Sequence, residues 1–191
     1  MARAADIRCA FPEVGRAILS RRRIAARVAQ LAGRVAADCA GRELTVLAVM
    51  SGSLIFLADL VRLLPLRLRL TFADIHSYPG CATRSQGIQA GMSLPQGLAG
   101  LDVLVVDDIL DSGQTLGCLL ETVRAQRPAS LRTCVLLRKN RPGLARTVQP
   151  DYIGFEVDDV FVIGYGLDYN NLYRNLPDIH VMGRADGEER A

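Results

Sequence analysis

The sequence lacks the features of membrane-bound, exported and nucleic-acid-binding proteins. Its 23 basic and 20 acidic residues leave a net charge of only +3, which provides no strong electrostatic surface for a nucleic acid. The uncharged stretch from Leu44 to Ala58 contains Ser51, Gly52 and Ser53 and is too short to span a bilayer. The N-terminus carries scattered Arg and Asp instead of an apolar segment, so we expect no signal peptide and a cytoplasmic protein.

Cysteine is sparse and has no pairing pattern. The five cysteines are odd in number, widely spaced and include no C-x-x-C pair. This pattern predicts reduced thiols and no zinc site. The residues concerned are Cys9, Cys39, Cys81, Cys118 and Cys134.

Lysine is almost absent. All but one of the 23 basic residues are arginine, and the exception is Lys139. A lone lysine is compatible with chance in a sequence that encodes nearly all of its positive charge as arginine. It is equally compatible with a position that needs a compact ammonium, where a planar guanidinium would fail. Composition alone leaves both interpretations open.

The most informative segment that is present reads VLVVDDILDSGQTL, residues 103–116. Its apolar start is typical of a strand buried on both faces of a parallel sheet. The strand pattern ends at Asp107 and Asp108, and Asp111 begins a small polar stretch that is typical of a loop before a helix, whose free N–H groups can hold a phosphate. Helix capping by Asp111 or Ser112 would explain one acid or one hydroxyl, but not three acids and two hydroxyls. The combination predicts a sugar-phosphate site with a metal.

Strand and helix patterns alternate along the chain, which predicts an α/β fold with a doubly wound, mostly parallel sheet flanked by helices. At 191 residues, half of them hydrophobic, the chain fits a single domain over residues 20–191, after a surface extension over residues 1–19. The predicted elements are a helix capped by Ser20 with Ile24, Val28, Leu31 and Val35 on one face, strands at 44–50, 66–70, 101–106, 131–137, 152–157 and 160–163, and helices at 54–63 and 115–126.

Residues 103–116 closely resemble the phosphoribosyl diphosphate (PRPP) motif of type I phosphoribosyltransferases, and the form DDILDSGQTL is most similar to the hypoxanthine-guanine branch. The resemblance extends over most of residues 20–182. GSLIFLADLVR resembles the first pyrophosphate loop and its helix, and DYIGFEVDDVFVIGYGLDYNNLYRNLP matches the C-terminal signature of 6-oxopurine enzymes. The resemblance implies the type I phosphoribosyltransferase fold with a small hood and a mobile lid loop.

The lid is expected within residues 73–100, which are rich in Gly, Pro, Ser and Gln and have weak periodicity. A long irregular stretch inside a compact domain is more often functional than a passive connector. The pair Ser77 and Tyr78 in this stretch is similar to the Ser-Tyr pair on the family's mobile lid. Closure of this lid would keep water from the reacting ribose.

The resemblance implies roles at the purine base for five residues. Asp111 would be the catalytic acid or base near purine N7, and Lys139 would donate to the exocyclic oxygen at C6. Phe161 would stack on the base, the Val162 backbone would read its other edge, and Asp168 would lie near the base and a second metal. The lone lysine therefore falls on the family's base-recognition position, which favours the second interpretation of its presence.

PRPP would bind at loops that meet beyond the carboxyl ends of the strands, where ligands collect in such sheets. Asp107 and Asp108 would accept hydrogen bonds from the ribose hydroxyls close to Mg²⁺, which keeps several waters and bridges phosphates. The metal residues implied are Asp107, Asp108 and Asp168. The PRPP-binding residues implied are Ser51, Gly52, Ser53, Asp107, Asp108, Asp111, Ser112, Gly113, Gln114, Thr115 and Arg174, the last contacting pyrophosphate.

Two positions depart from the family pattern. The first acid of the PRPP loop is commonly Glu, whereas Asp107 is one carbon shorter, which predicts a longer or water-mediated ribose contact. The first pyrophosphate loop often carries Lys before Gly, whereas Ser51 precedes Gly52 here. Pyrophosphate binding at this loop is therefore expected to use backbone N–H groups and Ser53.

The resemblance implies a purine-salvage enzyme that converts a 6-oxopurine and PRPP to a nucleoside monophosphate and pyrophosphate. Mg²⁺ would be the cofactor, and the protein would be a homodimer or homotetramer with no membrane or nucleic-acid partner. The residues give no ranking among hypoxanthine, guanine and xanthine, so a xanthine-preferring enzyme is one alternative. An RNA-binding regulator on the same fold is another, but it needs a basic face that the near-neutral charge does not provide.

Overall fold

A sheet of five parallel strands and one short antiparallel strand forms the centre of the fold. The computed structural model describes residues 11–75, 92–141, 143 and 148–183, and the predicted lid pair Ser77 and Tyr78 lies outside them. In the described residues the strands are β1 (Val14–Leu19), β2 (Leu44–Met50), β3 (Leu68–Ile75), β4 (Met92–Ser93), β5 (Asp102–Leu110), β6 (Ser130–Asn140), β7 (Tyr152–Asp158), β8 (Val162–Ile163) and β9 (Ile179–Met182), and the helices are α1 (Arg21–Asp38), α2 (Leu54–Val61) and α3 (Gln114–Ala125).

The order in the large sheet is β4-β3-β2-β5-β6-β7. Strands β3, β2, β5, β6 and β7 run parallel, and β4 pairs antiparallel with the end of β3. The predicted α/β class and mostly parallel sheet are confirmed. No helix among the described residues is both long and apolar enough to cross a membrane.

Both faces of β5 are buried, each against a different layer. Leu104 and Val106 belong to the core that includes the apolar residues of α1 and α2. Val103 and Val105 point the other way, into the core that contains the apolar face of α3. Successive side chains of a strand alternate between its faces, so an unbroken apolar run is what a strand between two helical layers requires.

Helix α1 agrees with its prediction. The Ser20 side chain accepts a hydrogen bond from the Arg23 backbone N–H at 3.4 Å and caps the helix, since the first N–H groups of a helix have no partner within it. The apolar stripe expected every three or four residues is fully buried. It consists of Ile24, Val28, Leu31 and Val35.

A second, three-stranded sheet of order β1-β9-β8 stands beside the first and corresponds to the expected hood. It corrects the predicted surface extension over residues 1–19: residues 14–19 form β1, pair with β9 and bury Val14 and Leu19. The register of β1 shifts twice, between Val14 and Ala17 and between Ala17 and Leu19. Such irregularities break the alternation of apolar and polar residues, which hid this strand from sequence analysis.

The strands β5 and β6 also run further than predicted. Asp107 and Asp108 lie inside β5, and Lys139 lies inside β6, whereas the predicted strands ended at residues 106 and 137. The ladder between the two strands continues through Ile109 opposite Leu137 and Leu110 opposite Arg138. Backbone pairing with a neighbouring strand does not require apolar side chains, so the polar residues stay within the sheet.

We predict opposite effects for alanine at two glycines. A Cβ at Gly154 in β7 would overlap the Leu136 carbonyl oxygen of β6, whereas a Cβ at Gly33 in α1 meets nothing within 4 Å. Gly154→Ala should lower the free energy of unfolding by about 1–3 kcal/mol through overpacking. Gly33→Ala should raise it by about 0.5–1 kcal/mol because alanine favours a helix. Denaturant unfolding of both variants measures this, and equal effects at the two positions would contradict the described packing.

Candidate active site

A cavity of about 870 Å³ opens at the carboxyl ends of the parallel strands. Four chain segments meet there: the end of β2 with the following loop, the end of β3, the end of β5 with the start of α3, and residues 164–174. This is the edge of a doubly wound sheet where ligands are expected. The lining residues are Val49, Met50, Ser51, Gly52, Phe72, Asp74, Asp107, Asp108, Ile109, Asp111, Thr115, Asp168 and Arg174.

Two acids at the end of β5 form the floor of this cavity. A carboxylate oxygen of Asp107 accepts a hydrogen bond from the Asp108 backbone N–H, and one of Asp108 accepts from the Ile109 N–H, both at 3.0 Å. Burial raises the pKa of Asp107 well above its ordinary value, and the negative charge of Asp108 raises it further. Burial likewise raises the pKa of Asp108, which the nearby positive charge of Arg174 opposes.

The loop after β2 packs directly against these acids. The Met50–Ser51 peptide bond is cis, and a Cβ at Gly52 would overlap the Asp108 carboxylate. Gly52 is therefore required for the close approach of the two segments. The Ser53 hydroxyl is fully buried and donates to the Val49 carbonyl oxygen at 2.5 Å; the expected contact of Ser53 with pyrophosphate stays a prediction. Ser51 and Gly52 do line the cavity.

The start of α3 provides the expected anion-binding geometry. Gly113 has φ of +83° and begins the helix without a capping side chain of its own, and the Ser112 hydroxyl accepts only a long hydrogen bond, 3.4 Å, from the Gln114 N–H. Gln114 and Thr115 are exposed. An exposed helix N-terminus with few partners for its N–H groups is suited to a phosphate. Ser112 thus fits part of the capping alternative, but Asp111 does not.

Asp111 belongs to a cluster of four charged side chains. The Lys139 ammonium lies 3.6 Å from a carboxylate oxygen of Asp111 and 3.2 Å from one of Asp159. The Arg141 guanidinium lies 2.9 Å from Asp111 and 2.8 Å from Asp159. The structure therefore brings together the predicted acid or base and the predicted purine donor, although they are 28 residues apart in sequence (139 − 111).

Sequence analysis missed Arg141 and Asp159 as members of this cluster. Arg141 lies two residues after Lys139, and Asp159 lies within the C-terminal signature. The signal that could have found them is position: β6 and β7 are parallel neighbours whose last pairs include Asn140 opposite Asp158. Residues directly after the ends of two adjacent parallel strands must lie close together.

The proposed base platform is an exposed aromatic pair. The Phe161 side chain is 50% exposed, which excludes a core role for it, and its ring meets Tyr169 edge to face with centroids 5.5 Å apart. Val162 follows in β8 and is buried. Tyr169 was not predicted as a site residue, and an isolated tyrosine in an irregular segment offers no periodic signal.

Arg174 and Asp168 are paired at the opposite wall of the cavity. Their side chains lie 2.8 Å apart, and Arg174 also donates to the Gly166 carbonyl oxygen at 2.7 Å. A second oxygen of Asp168 accepts from the Asn171 backbone N–H at 2.8 Å. A Cβ at Gly166, where φ is +100°, would overlap the Gly52 carbonyl oxygen. The segment that carries Arg174 is therefore packed tightly on the loop after β2.

The carboxylates at this edge fit a metal that is shared with a substrate. Among the described residues no three His, Cys, Asp or Glu side chains are grouped closely enough to hold a metal by themselves, so Asp107, Asp108 and Asp168 do not make a complete cage. Carboxylate oxygens are hard ligands, and Mg²⁺ is commonly held by one or two of them together with phosphates and water. Asp107 and Asp108 meet that requirement.

The comparison with protein families agrees with this geometry. The family model described as phosphoribosyl transferase domain matches residues 15–170, which include all of β1 except Val14 and the whole large sheet. The chain belongs to the phosphoribosyl transferase domain family. The match begins within β1, in agreement with the structure and earlier than the boundary at Ser20 predicted from sequence.

Similar proteins narrow the class. A hypoxanthine-guanine phosphoribosyltransferase of Dictyostelium discoideum is 41% identical over 165 residues, which are 84% of this chain and 91% of that protein. One of Mycobacterium avium is 38% identical over 174 residues, covering 86% and 84%. A solved hypoxanthine-guanine-xanthine phosphoribosyltransferase superposes with a TM-score of 0.81 at 30% identity, covering 91% of this chain and all of that one. The predicted resemblance to the hypoxanthine-guanine branch is confirmed.

The buried acids predict an unusual pH dependence of stability. Because the pKa of Asp107 is raised in the folded state, its charged form opposes folding at every pH above about 4, the ordinary Asp pKa. Asp107→Asn should therefore increase the free energy of unfolding near pH 7, and the gain should shrink as the pH falls towards 4. Urea unfolding of the ligand-free protein at a series of pH values, with a chelator present, measures this.

The matched control lies at the other end of the same strand. The Ser130 hydroxyl donates to Asp102 and lowers the pKa of that carboxyl, so its charge favours folding. Asp102→Asn should lower the free energy of unfolding at neutral pH. The difference in this free energy between the variant and the wild-type protein should vanish in acid. A change of the same sign in both variants would contradict the prediction that the surroundings of each carboxylate decide whether its charge stabilises or destabilises the fold.

Proposed function

We propose that this protein transfers the 5-phosphoribosyl group of PRPP to the 6-oxopurines hypoxanthine and guanine. The products are the nucleoside monophosphate and pyrophosphate. The observation that carries this proposal is the 3.6 Å separation between the Lys139 ammonium and the Asp111 carboxylate. A 6-oxopurine presents N7 and the C6 oxygen on one edge. An adjacent cation and carboxylate match that edge, since the cation donates to the oxygen and the carboxylate accepts the N7 proton.

The rest of the cavity suits PRPP. The N-terminus of α3 is available for the 5-phosphate, Asp107 and Asp108 are available for the ribose hydroxyls, and Arg174 supplies positive charge for pyrophosphate. The loop with Ser51 and Gly52 adds backbone groups at the same end. Phe161 and Tyr169 offer an aromatic surface for the base.

Asp107 and Asp108 would hold Mg²⁺ together with oxygens of the substrate. When bound, Mg²⁺ supplies positive charge that stabilises the pyrophosphate leaving group. Asp168, which lies against Arg174, is the further acid near this region. The residues themselves position the ribose and the base so that the purine nitrogen faces the anomeric carbon.

The chain's own contribution to the chemistry is positioning and charge. As the bond to pyrophosphate lengthens, the ribose gains oxocarbenium character, and Arg174 stabilises the charge that develops on the leaving oxygen. Asp111 takes or shares the N7 proton as the base becomes nucleophilic. Exclusion of water is assigned to the segment with Ser77 and Tyr78, as expected from sequence.

Two substrate questions accompany this proposal. The ammonium of Lys139 has only donors, which favours 6-oxopurines over adenine. Xanthine shares the C6 oxygen, and the superposed solved enzyme carries xanthine in its name, so a xanthine activity is the second candidate. Product formation from PRPP with hypoxanthine, guanine, xanthine, adenine and uracil tests the proposal; turnover of uracil or adenine alone would reject it.

We also propose that the protein works in the cytoplasm as a homo-oligomer. Large apolar side chains are exposed on α2 and β3, including Leu54, Ile55 and Leu70. Exposed apolar surface of this kind favours association. The near-balanced charge continues to argue against a nucleic-acid partner, and a salt-dependent RNA shift would be the result that restores that alternative.

Asp111→Asn should slow the chemical step. The amide cannot take the N7 proton, and such proton transfers contribute about 10²–10⁴-fold to rate. We therefore expect kcat to fall within that range while the KM for PRPP stays nearly unchanged. Steady-state kinetics with each substrate varied separately measures this, and an unchanged kcat would remove Asp111 from the mechanism.

Lys139→Gln should weaken the distinction between hypoxanthine and adenine. Leaving a buried polar group unpaired costs roughly 1–3 kcal/mol, equivalent to about 10- to 100-fold in kcat/KM, and the wild-type ammonium imposes this cost on adenine. Glutamine offers both a donor and an acceptor. The kcat/KM for hypoxanthine should therefore fall, and the ratio of kcat/KM for hypoxanthine to kcat/KM for adenine should decrease. The ratio of kcat/KM for the two bases is the measurement; a wild-type preference for adenine, or an unchanged ratio, would contradict the role of Lys139.

A further inference from the structure

Asp159 lies beside the residues assigned to the purine, and nothing in the proposed chemistry requires it. Its carboxylate directly follows the end of β7 and lies within 3.2 Å of both the Lys139 ammonium and the Arg141 guanidinium. The hydrogen bond from Arg141 lowers the pKa of Asp159, so it is a carboxylate at neutral pH. Two cations and two anions are thus in mutual contact at this point.

The Lys139 side chain needs a partner for its charge. It is only 12% exposed, and a cation so far removed from water is stabilised by a nearby anion. Asp111 is one such anion, but Asp111 is also the group assigned to the N7 proton. Asp159 is the nearer of the two, at 3.2 Å against 3.6 Å. It can keep the ammonium in place while Asp111 turns to the base.

Arg141 supplies the second part of the argument. Its guanidinium contacts Asp111 at 2.9 Å and Asp159 at 2.8 Å, so the two carboxylates share it. Without the charge of Asp159, both cations would have Asp111 as their common anion in this cluster. A carboxylate held by two cations is a poorer proton acceptor and is less free to face a ligand.

We propose that Asp159 is a positioning residue for purine use: it anchors the Lys139 ammonium towards the C6 oxygen and shares Arg141, so that Asp111 does not hold both cations alone. The inference rests on the proposed function and assigns the purine-binding geometry to a side chain that does not touch the base. An ammonium on a four-carbon stem has many conformations. An anchor that limits them strengthens binding of the base by preorganisation.

The test is Asp159→Asn in the full-length protein, with each substrate varied separately. We expect the KM for hypoxanthine and guanine to rise about tenfold, the loss of roughly one charge-assisted hydrogen bond, while the KM for PRPP changes less than about twofold. Asp159→Glu, which keeps the charge, should recover much of the loss. Asp158→Asn is the matched control because Asp158 is adjacent, exposed and in no ion pair among the described residues; it should leave both KM values unchanged.

A second substitution separates the two parts of the proposal. Arg141→Gln added to Asp159→Asn removes the cation that would otherwise occupy Asp111, so it should raise kcat relative to the single variant without restoring the purine KM. An unchanged purine KM in Asp159→Asn, or an equal rise in both KM values, overturns the anchoring role. Failure of Arg141→Gln to raise kcat overturns the competition for Asp111. Wild-type turnover in the same assay tests the proposed function by itself. The role of Asp159 is tested only by the ratios of the variants' KM and kcat to the wild-type values.

Discussion

The parallel hydrogen-bond ladder between β5 and its neighbours is the constraint on which the site depends. It continues beyond the apolar run, through Asp107 and on to Leu110 opposite Arg138, and so keeps two acids inside the sheet. Strand β6 extends equally far and delivers Lys139 to the same edge. The positions of the acids and the cation are thus properties of rigid strands, and a site built on strands is held more precisely than one built on loops.

That precision has an energetic cost. Burial raises the pKa of both acids at the end of β5, so in the ligand-free protein their charges are poorly solvated and repel each other. A ribose, a metal ion or a cationic side chain at this point relieves an unfavourable arrangement. The cost is placed where a ligand can offset it.

Much of the fold followed from periodicity alone. The stripe from Ile24 to Val35 and the run from Val103 to Val106 were readable because each repeats at the spacing of its element. Strand β1 was not, because its register shifts twice, and neither was β9, a short strand in a polar segment. Side-chain contacts made by the folded chain were also beyond the sequence: the Ser53 hydroxyl donates to the Val49 carbonyl oxygen four residues earlier, and Asp159 meets Lys139 only because two parallel strands end side by side. Site residues that belong to a sequence motif could be predicted, whereas those that join the site only through a contact in the folded chain could not.

The contact between Gly52 and Gly166 has a wider consequence. The Gly52 carbonyl oxygen leaves no room for a side chain at Gly166, and the Asp108 carboxylate leaves none at Gly52, so the loop after β2 and the segment that carries Arg174 meet through backbone atoms. Such a joint transmits displacement directly, because neither half can yield by changing a rotamer. The two segments proposed to hold pyrophosphate, the loop with Ser51 and Gly52 and the segment with Arg174, would therefore move as one unit, so that a displacement of either is passed to the other.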